Sequence, residues 1–199
     1  MEKLKIPYTI VVEGKYDRVR LLTVCDARVI TTDGFGIFKK NEKLALIRRI
    51  ATELPVIVLT DSDGAGKLIR SHLSSALPPE KIIQLYIPQI KGKEKRKKEA
   101  SAEGTLGVDG MEQNLLRDLL MPYEDEKAFL RIEENPLSKT DFYIDGLTSA
   151  EGSTAKRDEI AQKLGLPKGM TPNALLSAMK MICTYEEYLA LVGREREQK

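Results

Sequence analysis

The stretch Val56–Asp63 (VIVLTDSD) contains the most strand-like segment of the sequence, Val56–Thr60, and ends in a pair of aspartates. A run of β-branched and apolar residues of this length is typical of a strand that is buried on both faces, as in a parallel sheet. Helical spacing follows from about Gly64 to Leu73. The segment therefore predicts a strand that leads into a helix, with Asp61 and Asp63 at the turn between them.

Strand and helix patterns alternate on both sides of this segment. In chain order they predict a strand, a helix, a strand, a helix and, after Val56–Asp63, a further strand: Thr9–Val12, Tyr16–Val24, Arg28–Thr31, Asn41–Ala51 and Ile82–Tyr86. Such alternation is typical of α/β proteins in which helices cover both faces of a parallel sheet. We therefore expect a Rossmann-like fold with a mainly parallel, four-stranded sheet.

The character of the chain changes beyond Pro122. Met111–Leu120 predicts the last helix of the α/β part, and the charged segment Tyr123–Lys139 resembles a linker. Three helices without an intervening strand are then predicted: Ala155–Leu164, Thr171–Ile182 and Tyr185–Val192. We expect residues 1–122 to form a catalytic domain, and residues 123–199 to form a linker and a small all-α domain.

Composition excludes several classes of protein. Of 199 residues, 42% are hydrophobic and 31% charged, an ordinary globular mixture with a net charge of only +2. No apolar run approaches the roughly 20 residues that span a bilayer, and the amino terminus lacks a signal-peptide cleavage pattern, so we expect a cytoplasmic protein without a membrane partner. Two distant cysteines and a single histidine make a zinc site implausible, and we expect Cys25 and Cys183 to be buried thiols.

Basic residues are concentrated in Lys91–Lys98 (KGKEKRKK), which holds six bases and one acid. Such a segment attracts phosphates and releases their counterions, although a solvated loop explains it equally well. The candidate nucleic-acid contacts are these bases together with two lysines near the acidic motifs: Lys15, Lys67, Lys91, Lys93, Lys95, Arg96, Lys97 and Lys98.

Carboxylates end two of the predicted strands. Glu13 follows the first strand, in Glu13-Gly14-Lys15, and Asp61 and Asp63 follow the Val56–Thr60 strand. The carboxyl ends of parallel strands meet at one edge of a sheet, which is where ligands bind in such folds. Oxygen ligands of this kind suit Mg²⁺, and Glu13 could serve as a further ligand or as a general acid or base. The sequence thus predicts a magnesium-dependent site for phosphodiester chemistry.

These motifs resemble the Toprim domain that topoisomerases, bacterial primases and several nucleases share. The resemblance rests on Val11–Asp17, Thr32–Gly34 and Leu59–Asp63. It implies that the acidic motifs bind magnesium, that the glutamate transfers a proton, and that Glu13 is this glutamate. Topoisomerases carry one more acid two residues beyond the aspartate pair, and this chain has Ala65 there.

The rest of the chain resembles one branch of Toprim proteins, the ribonuclease M5 family. Gly107–Asp109 is similar to the Gly-Val-Glu segment of that family, although Asp109-Gly110 replaces its Glu-His pair. Segments similar to the family's carboxyl-terminal module are Gly146–Thr148, Ser153, Arg157, Leu164-Gly165, Asn173-Ala174, Leu176 and Thr184–Glu187. The resemblance implies maturation of precursor 5S ribosomal RNA by double-strand cleavage, with ribosomal protein uL18 as a helper.

The sequence leaves several alternatives open. The leading hypothesis is a magnesium-dependent endoribonuclease whose lysines bind the phosphates of structured RNA, which proteins recognise mainly by shape and backbone. A diverged, non-catalytic RNA-binding or ribosome-assembly factor and a DNA-processing nuclease are the alternatives. Lys15 is equally compatible with a contact to the scissile phosphate and with an ordinary surface position.

Overall fold

The chain folds into two units, Met1–Ile132 and Glu133–Lys199. The computed structural model describes residues 2–34, 41–93, 104–125 and 135–194. The sequence places the boundary earlier, near residue 122, but the chain just beyond that point still packs on the first unit. The backbone N–H of Asp125 donates to the carbonyl of Lys5 at 3.0 Å, and the rings of Tyr8 and Tyr123 meet edge to face at 6.2 Å. The assignment of a catalytic role to the first unit alone stays a prediction.

A four-stranded parallel sheet forms the centre of the first unit. The described strands of this unit are β1 (Leu4–Lys5), β2 (Ile10–Val12), β3 (Cys25–Asp26), β4 (Val29–Thr31), β5 (Val56–Thr60) and β6 (Ile82–Tyr86), and all but β1 and β3 belong to the central sheet. The helices are α1 (Lys15–Leu21), α2 (Asn41–Glu53), α3 (Gly64–Ala76) and α4 (Gln113–Leu120). The order in the central sheet is β4-β2-β5-β6, and each neighbouring pair is parallel. The predicted α/β fold class is confirmed.

Both faces of the central sheet are covered, and β5 is therefore buried along its whole length. Side chains alternate between the faces of a strand, so Ile57 and Leu59 point to one side and Val56 and Val58 to the other. Ile57 and Leu59 belong to the hydrophobic cluster that contains Leu21 of α1 and residues of α4. The opposite face contacts α2 and α3. The near-continuous apolar run is therefore what sandwiches this strand between two helical layers.

The first helix is shorter than its sequence pattern predicts. We expected a helix over Tyr16–Val24, but α1 ends at Leu21 and the chain enters β3. The two residues of β3 pair with β1 in a separate parallel sheet, and the N–H of Leu4 donates to the carbonyl of Val24 at 3.1 Å. Val24 and Cys25 are buried in the core. Apolar residues at these positions fit a helix or a strand equally well, which explains the error.

The second unit is all-helical. Its described helices are α5 (Lys139–Ile144), α6 (Ser153–Lys163), α7 (Pro172–Ile182) and α8 (Tyr185–Val192). The three predicted helices are present, whereas α5 was not predicted. A capping box opens α5, in which Ser138 and Asp141 exchange side-chain and backbone hydrogen bonds. Buried Phe142 and Tyr188 stack at the centre of this unit, with ring centroids 6.2 Å apart.

Both cysteines are buried, as expected. Cys25 lies in β3, where burial raises the pKa of its thiol to about 12. Cys183 follows the last residue of α7. A thiol with so high a pKa stays protonated at neutral pH and is a poor nucleophile. Across the described helices, none is long and apolar enough to cross a membrane.

Candidate active site

Glu13 and Asp61 lie at the same edge of the sheet, directly after β2 and β5. These two strands are parallel neighbours, with Val11 paired with Val58, so their carboxyl ends are side by side. The backbone N–H of Asp61 donates to Oε1 of Glu13 at 3.0 Å. Two acids that are far apart in the sequence are therefore in direct contact, as the strand topology predicts.

The negative charges at this edge raise the pKa values of Glu13 and Asp17. Burial, followed by the charge of Asp61, raises the pKa of Glu13 to about 7, with smaller contributions from Asp63 and Asp17. The hydrogen bond from the backbone of Asp61 opposes these effects. A carboxyl group with a pKa near 7 exchanges its proton readily at neutral pH, which is what general acid–base chemistry requires.

Asp17 is a further acid of this cluster that was not among the predicted site residues. It lies in the first turn of α1, is 7% exposed, and its Oδ2 accepts a hydrogen bond from the N–H of Gly14 at 2.9 Å. Burial, then the charge of Asp61, raises its pKa to about 7, against hydrogen bonds from the backbones of Gly14 and Asp109. The signal was its spacing, since an acid four residues after Glu13 lies one helical turn beyond the strand end.

Asp63 caps helix α3. Its Oδ1 accepts a hydrogen bond from the N–H of Gly66 at 2.9 Å. A Cβ atom at Gly66 would lie 2.1 Å from the carbonyl oxygen of Asp61 and 2.8 Å from Oε1 of Glu13, whereas a Cβ at Gly64 would meet nothing within 4 Å. Gly66 thus permits the close approach of α3 to both acids. Asp63 is near enough to raise the pKa of Glu13, but its hydrogen bond also serves the helix.

Asp61 is also held by the turn that begins at Gly107, whose residues indicated only a family resemblance in the sequence. The N–H of Val108 donates to Oδ1 of Asp61 at 2.8 Å. A Cβ atom at Gly107 would lie 2.4 Å from Oδ2 of Asp61, so this position has no room for a side chain. Val108 and Asp61 are 47 residues apart in the sequence, and local sequence patterns do not indicate a contact between residues so far apart.

The backbone of Glu13 is fixed by the turn that follows β4. The N–H of Gly34 donates to the carbonyl of Glu13 at 3.2 Å, and the hydroxyl of Thr32 donates to the same oxygen at 3.3 Å. Between them Asp33 adopts a left-handed conformation with φ of 55°. An acid in this sparsely populated region persists because the surrounding structure holds it, here through Lys43, which binds its carboxylate. The Thr32–Gly34 motif therefore positions the glutamate.

Two of the candidate lysines are on helices that begin at this edge. Lys15 is the first residue of α1 and is exposed, with Nζ 4.9 Å from the ring centroid of Tyr16. Lys67 is exposed in the first turn of α3. Their contacts with nucleic acid stay predictions.

The basic segment is only partly described. Lys91 and Lys93 are exposed, and Lys91 forms an antiparallel bridge with Thr105. The remaining predicted bases lie outside the described residues: Lys95, Arg96, Lys97 and Lys98.

The acids at this edge have the chemistry of a site for a hard cation. In the ranges that the structure describes, no three Asp, Glu, His or Cys side chains gather in an arrangement that would hold a metal ion. Mg²⁺, however, keeps most of its water molecules and needs only one or two carboxylates. Glu13 and Asp61 are such a pair, and their mutual repulsion is what a cation would relieve. These residues therefore fit a magnesium ion bound largely through water.

Relatives that carry the name ribonuclease M5 match most of the chain. The protein from Lactiplantibacillus plantarum is 31% identical over 166 residues, which are 81% of this chain and 81% of the relative. The chain belongs to the ribonuclease M5 family. The ribonuclease M5 of Clostridium botulinum is 28% identical over 188 residues, 94% of this chain and 95% of its own, and that of Bacillus subtilis is 28% identical over 168 residues, 83% of each.

The ribonuclease M5 resemblance drawn from the motifs is thus confirmed, and the match covers both units because it reaches 94% of the chain. No family model matches the sequence.

Proposed function

We propose that this protein is a Mg²⁺-dependent endoribonuclease that cleaves structured precursor RNA, with precursor 5S ribosomal RNA as its substrate. The observation that carries the proposal is the contact between Glu13 and Asp61 at the carboxyl edge of the sheet, in a chain of the ribonuclease M5 family. A ribonuclease breaks a phosphodiester bond. The acids at this edge would bind a cation and transfer a proton in that reaction.

Each acid has a distinct part in the proposed reaction. Glu13, with a pKa near 7, can hold or release a proton at neutral pH and is the proton-transfer group. Asp61 and Asp63 supply carboxylate oxygens to the cation, with Glu13 as a further ligand. Bound Mg²⁺ would neutralise phosphate charge and lower the pKa of a bound water. Lys15, at the start of α1, is the candidate for a contact with the scissile phosphate.

The substrate is bound through its backbone in this proposal. Duplex RNA is recognised mainly by its shape and its phosphates, which suits lysines better than base-reading side chains. The exposed lysines Lys67, Lys91 and Lys93 would contact phosphates. The basic side chains of residues 95–98 would contribute further phosphate contacts. A ribosomal protein of the uL18 type as helper and a cytoplasmic location are part of the same proposal.

The direct test is cleavage of end-labelled precursor 5S RNA with Mg²⁺ or with EDTA. The enzyme and a Glu13→Gln variant are compared with Glu80→Gln as a matched control, because Glu80 precedes β6 and so lies at the opposite edge of the sheet. We expect Mg²⁺-dependent cutting by the wild type and by Glu80→Gln, and none by Glu13→Gln.

Other outcomes separate the alternatives. Cutting by Glu13→Gln at the wild-type rate would overturn the role of this acid. Binding of the RNA without cutting, even with the helper protein present, would instead support a non-catalytic RNA-binding factor. Preferred cutting of duplex DNA in a competition assay would support a DNA-processing nuclease.

A further inference from the structure

The turn over residues 107–111, here called the 107–111 turn, lies against the acids of the candidate site. It precedes α4 and contains one short helical turn, Val108–Gly110. Within it, the N–H of Gly110 donates to the carbonyl of Gly107 at 3.0 Å, and that of Met111 to the carbonyl of Val108 at 3.2 Å. Val108 and Met111 are fully buried in the hydrophobic core of the first unit. The turn is therefore fixed to the core and internally hydrogen-bonded.

Two side chains of α1 hold the same turn. Asp17 accepts a hydrogen bond from the backbone of Asp109. Arg20 donates from Nε to the carbonyl of Met111 at 2.7 Å, and its second guanidinium nitrogen donates to the same oxygen. An arginine that binds one carbonyl through two N–H groups restrains both the position and the direction of that carbonyl. Two residues of α1 thus anchor the turn, one at the middle residue of its short helix and the other just after that helix ends.

The contact with Asp61 is tight and specific in position. One carboxylate oxygen, Oδ1, accepts the N–H of Val108 at 2.8 Å, while a Cβ at Gly107 would come within 2.8 Å of both oxygens. No side chain at 107 fits unless the carboxylate of Asp61 moves. Since the turn itself is fixed, it imposes an orientation on the carboxylate.

We propose that the 107–111 turn is a positioning element that orients Asp61 for the cation, with Gly107 and the N–H of Val108 as its working parts. The inference rests on the proposed function, because it gives Asp61 the role of a magnesium ligand. Groups that orient a metal ligand commonly change metal affinity by about 10- to 100-fold when they are lost. Displacement of Asp61 should therefore lower the affinity for the cation more than it changes the other properties of the protein.

Binding of RNA should be unaffected by the same change. Backbone hydrogen bonds join residues 90–92, where the basic segment begins, to residues 104–106. The N–H of Leu106 donates to the carbonyl of Ile90 at 2.8 Å, and the N–H of Gly92 donates to the carbonyl of Gly104 at 3.0 Å. These bonds do not involve the 107–111 turn. Cation affinity and RNA affinity are thus separable readouts of a change at Gly107.

The test is Gly107→Ala, with Mn²⁺ binding followed by electron paramagnetic resonance and cleavage followed as a function of Mg²⁺ concentration. We expect Mn²⁺ affinity to fall by about tenfold or more, and the Mg²⁺ concentration for half-maximal cleavage to rise by a similar factor. Affinity for duplex RNA in EDTA should stay within about twofold of wild type, since its contacts are not touched. Equal Mn²⁺ affinity in the two proteins would overturn the inference.

A second variant keeps the test decisive if Gly107→Ala does not fold, as judged by circular dichroism. Arg20→Ala releases the carbonyl of Met111 without touching Asp61, and Arg18→Ala, an exposed residue on the same helix, is its matched control. Mn²⁺ affinity should fall for Arg20→Ala, recover in part for Arg20→Lys, and stay unchanged for Arg18→Ala. An unchanged affinity in Arg20→Ala would count against the positioning role.

The same series separates this inference from the proposed function. If the wild type does not cut the RNA, the proposed function fails, and the Mn²⁺ titrations still decide whether the turn orients Asp61. If the wild type cuts and Gly107→Ala behaves identically, the inference fails and the function stands.

Discussion

Replacing Asp17 with asparagine is expected to flatten the pH dependence of the stability of the metal-free protein. Burial and the neighbouring charge of Asp61 raise the pKa of Asp17 from 3.8 to about 7 in the folded protein. In the unfolded chain the carboxyl group returns to its ordinary value. Between these two pKa values the folded state binds a proton that the unfolded state has released, so the free energy of unfolding falls as pH rises. This contribution is complete below about pH 4 and is lost above about pH 7.

The size of the effect follows from the same shift. Each unit of pKa difference corresponds to about 1.4 kcal/mol. The interval between the two pKa values of Asp17 runs from about pH 4 to about pH 7, and about two pH units of it lie between pH 5 and pH 8. The wild type should therefore lose about 2 to 3 kcal/mol more stability than Asp17→Asn over this range. Because Asp17 is only 7% exposed, solvent screens this charge weakly. Glu13 titrates in the same region and is coupled to the same charges, so the value applies to the difference between the two proteins and not to either alone.

The assay is urea unfolding in EDTA at pH 5 and pH 8, followed by circular dichroism. The difference between wild type and Asp17→Asn cancels the titration of those shared groups that do not interact with Asp17. Asp118→Asn serves as a matched control, because Asp118 is an exposed aspartate of α4 and its substitution should leave the pH dependence of the wild type intact. Parallel curves for wild type and Asp17→Asn would refute the argument that burial raises the pKa of this acid.

Three further expectations follow from the same site. Mg²⁺ should raise the unfolding temperature of the wild type more at pH 8 than at pH 5, because protons and the cation compete for the same carboxylates; an equal shift at both pH values would contradict this. Gly66→Ala should destabilise the protein by about 2 kcal/mol or more in urea unfolding, because its Cβ would lie 2.1 Å from the carbonyl of Asp61, while Gly64→Ala, with open space around its Cβ, should change stability by less than about 0.5 kcal/mol. Removing Lys91 and Lys93 together should reduce the slope of log affinity for duplex RNA against log salt concentration by about one to two units, and an unchanged slope would mean that they do not contact phosphates.

The part of the site that depends on strand topology could be predicted from the sequence. The β-branched run at Val56–Thr60 indicates a strand buried on both faces, and the structure buries it fully. Once β2 and β5 are parallel neighbours, Glu13 and Asp61 must come together, since each directly follows its strand. This prediction needed no knowledge of any side-chain contact.

The contacts that hold the acids could not be predicted in the same way. Val108 reaches Asp61 across a loop whose path no local pattern determines, and a glycine such as Gly107 looks the same in sequence whether it permits a turn or avoids a clash. The paired residues Leu4 and Cys25 belong to strands of only two residues, too short for any periodicity to be visible. Helix α5 has only six residues, too few for a helical periodicity to be visible in the sequence.

The acids of this site have the groups for the chemistry, and their carboxylates also accept hydrogen bonds that hold the backbone in place. Oε1 of Glu13 accepts the N–H of Asp61, Oδ1 of Asp61 accepts that of Val108, and Oδ2 of Asp17 accepts that of Gly14. A buried N–H that loses its acceptor costs about 1–3 kcal/mol, so an alanine at any of these positions would confound lost chemistry with lost structure. An amide keeps an acceptor oxygen and removes only the charge and the titratable proton. Loss of cleavage in Glu13→Gln with an intact fold would therefore report on the chemistry alone.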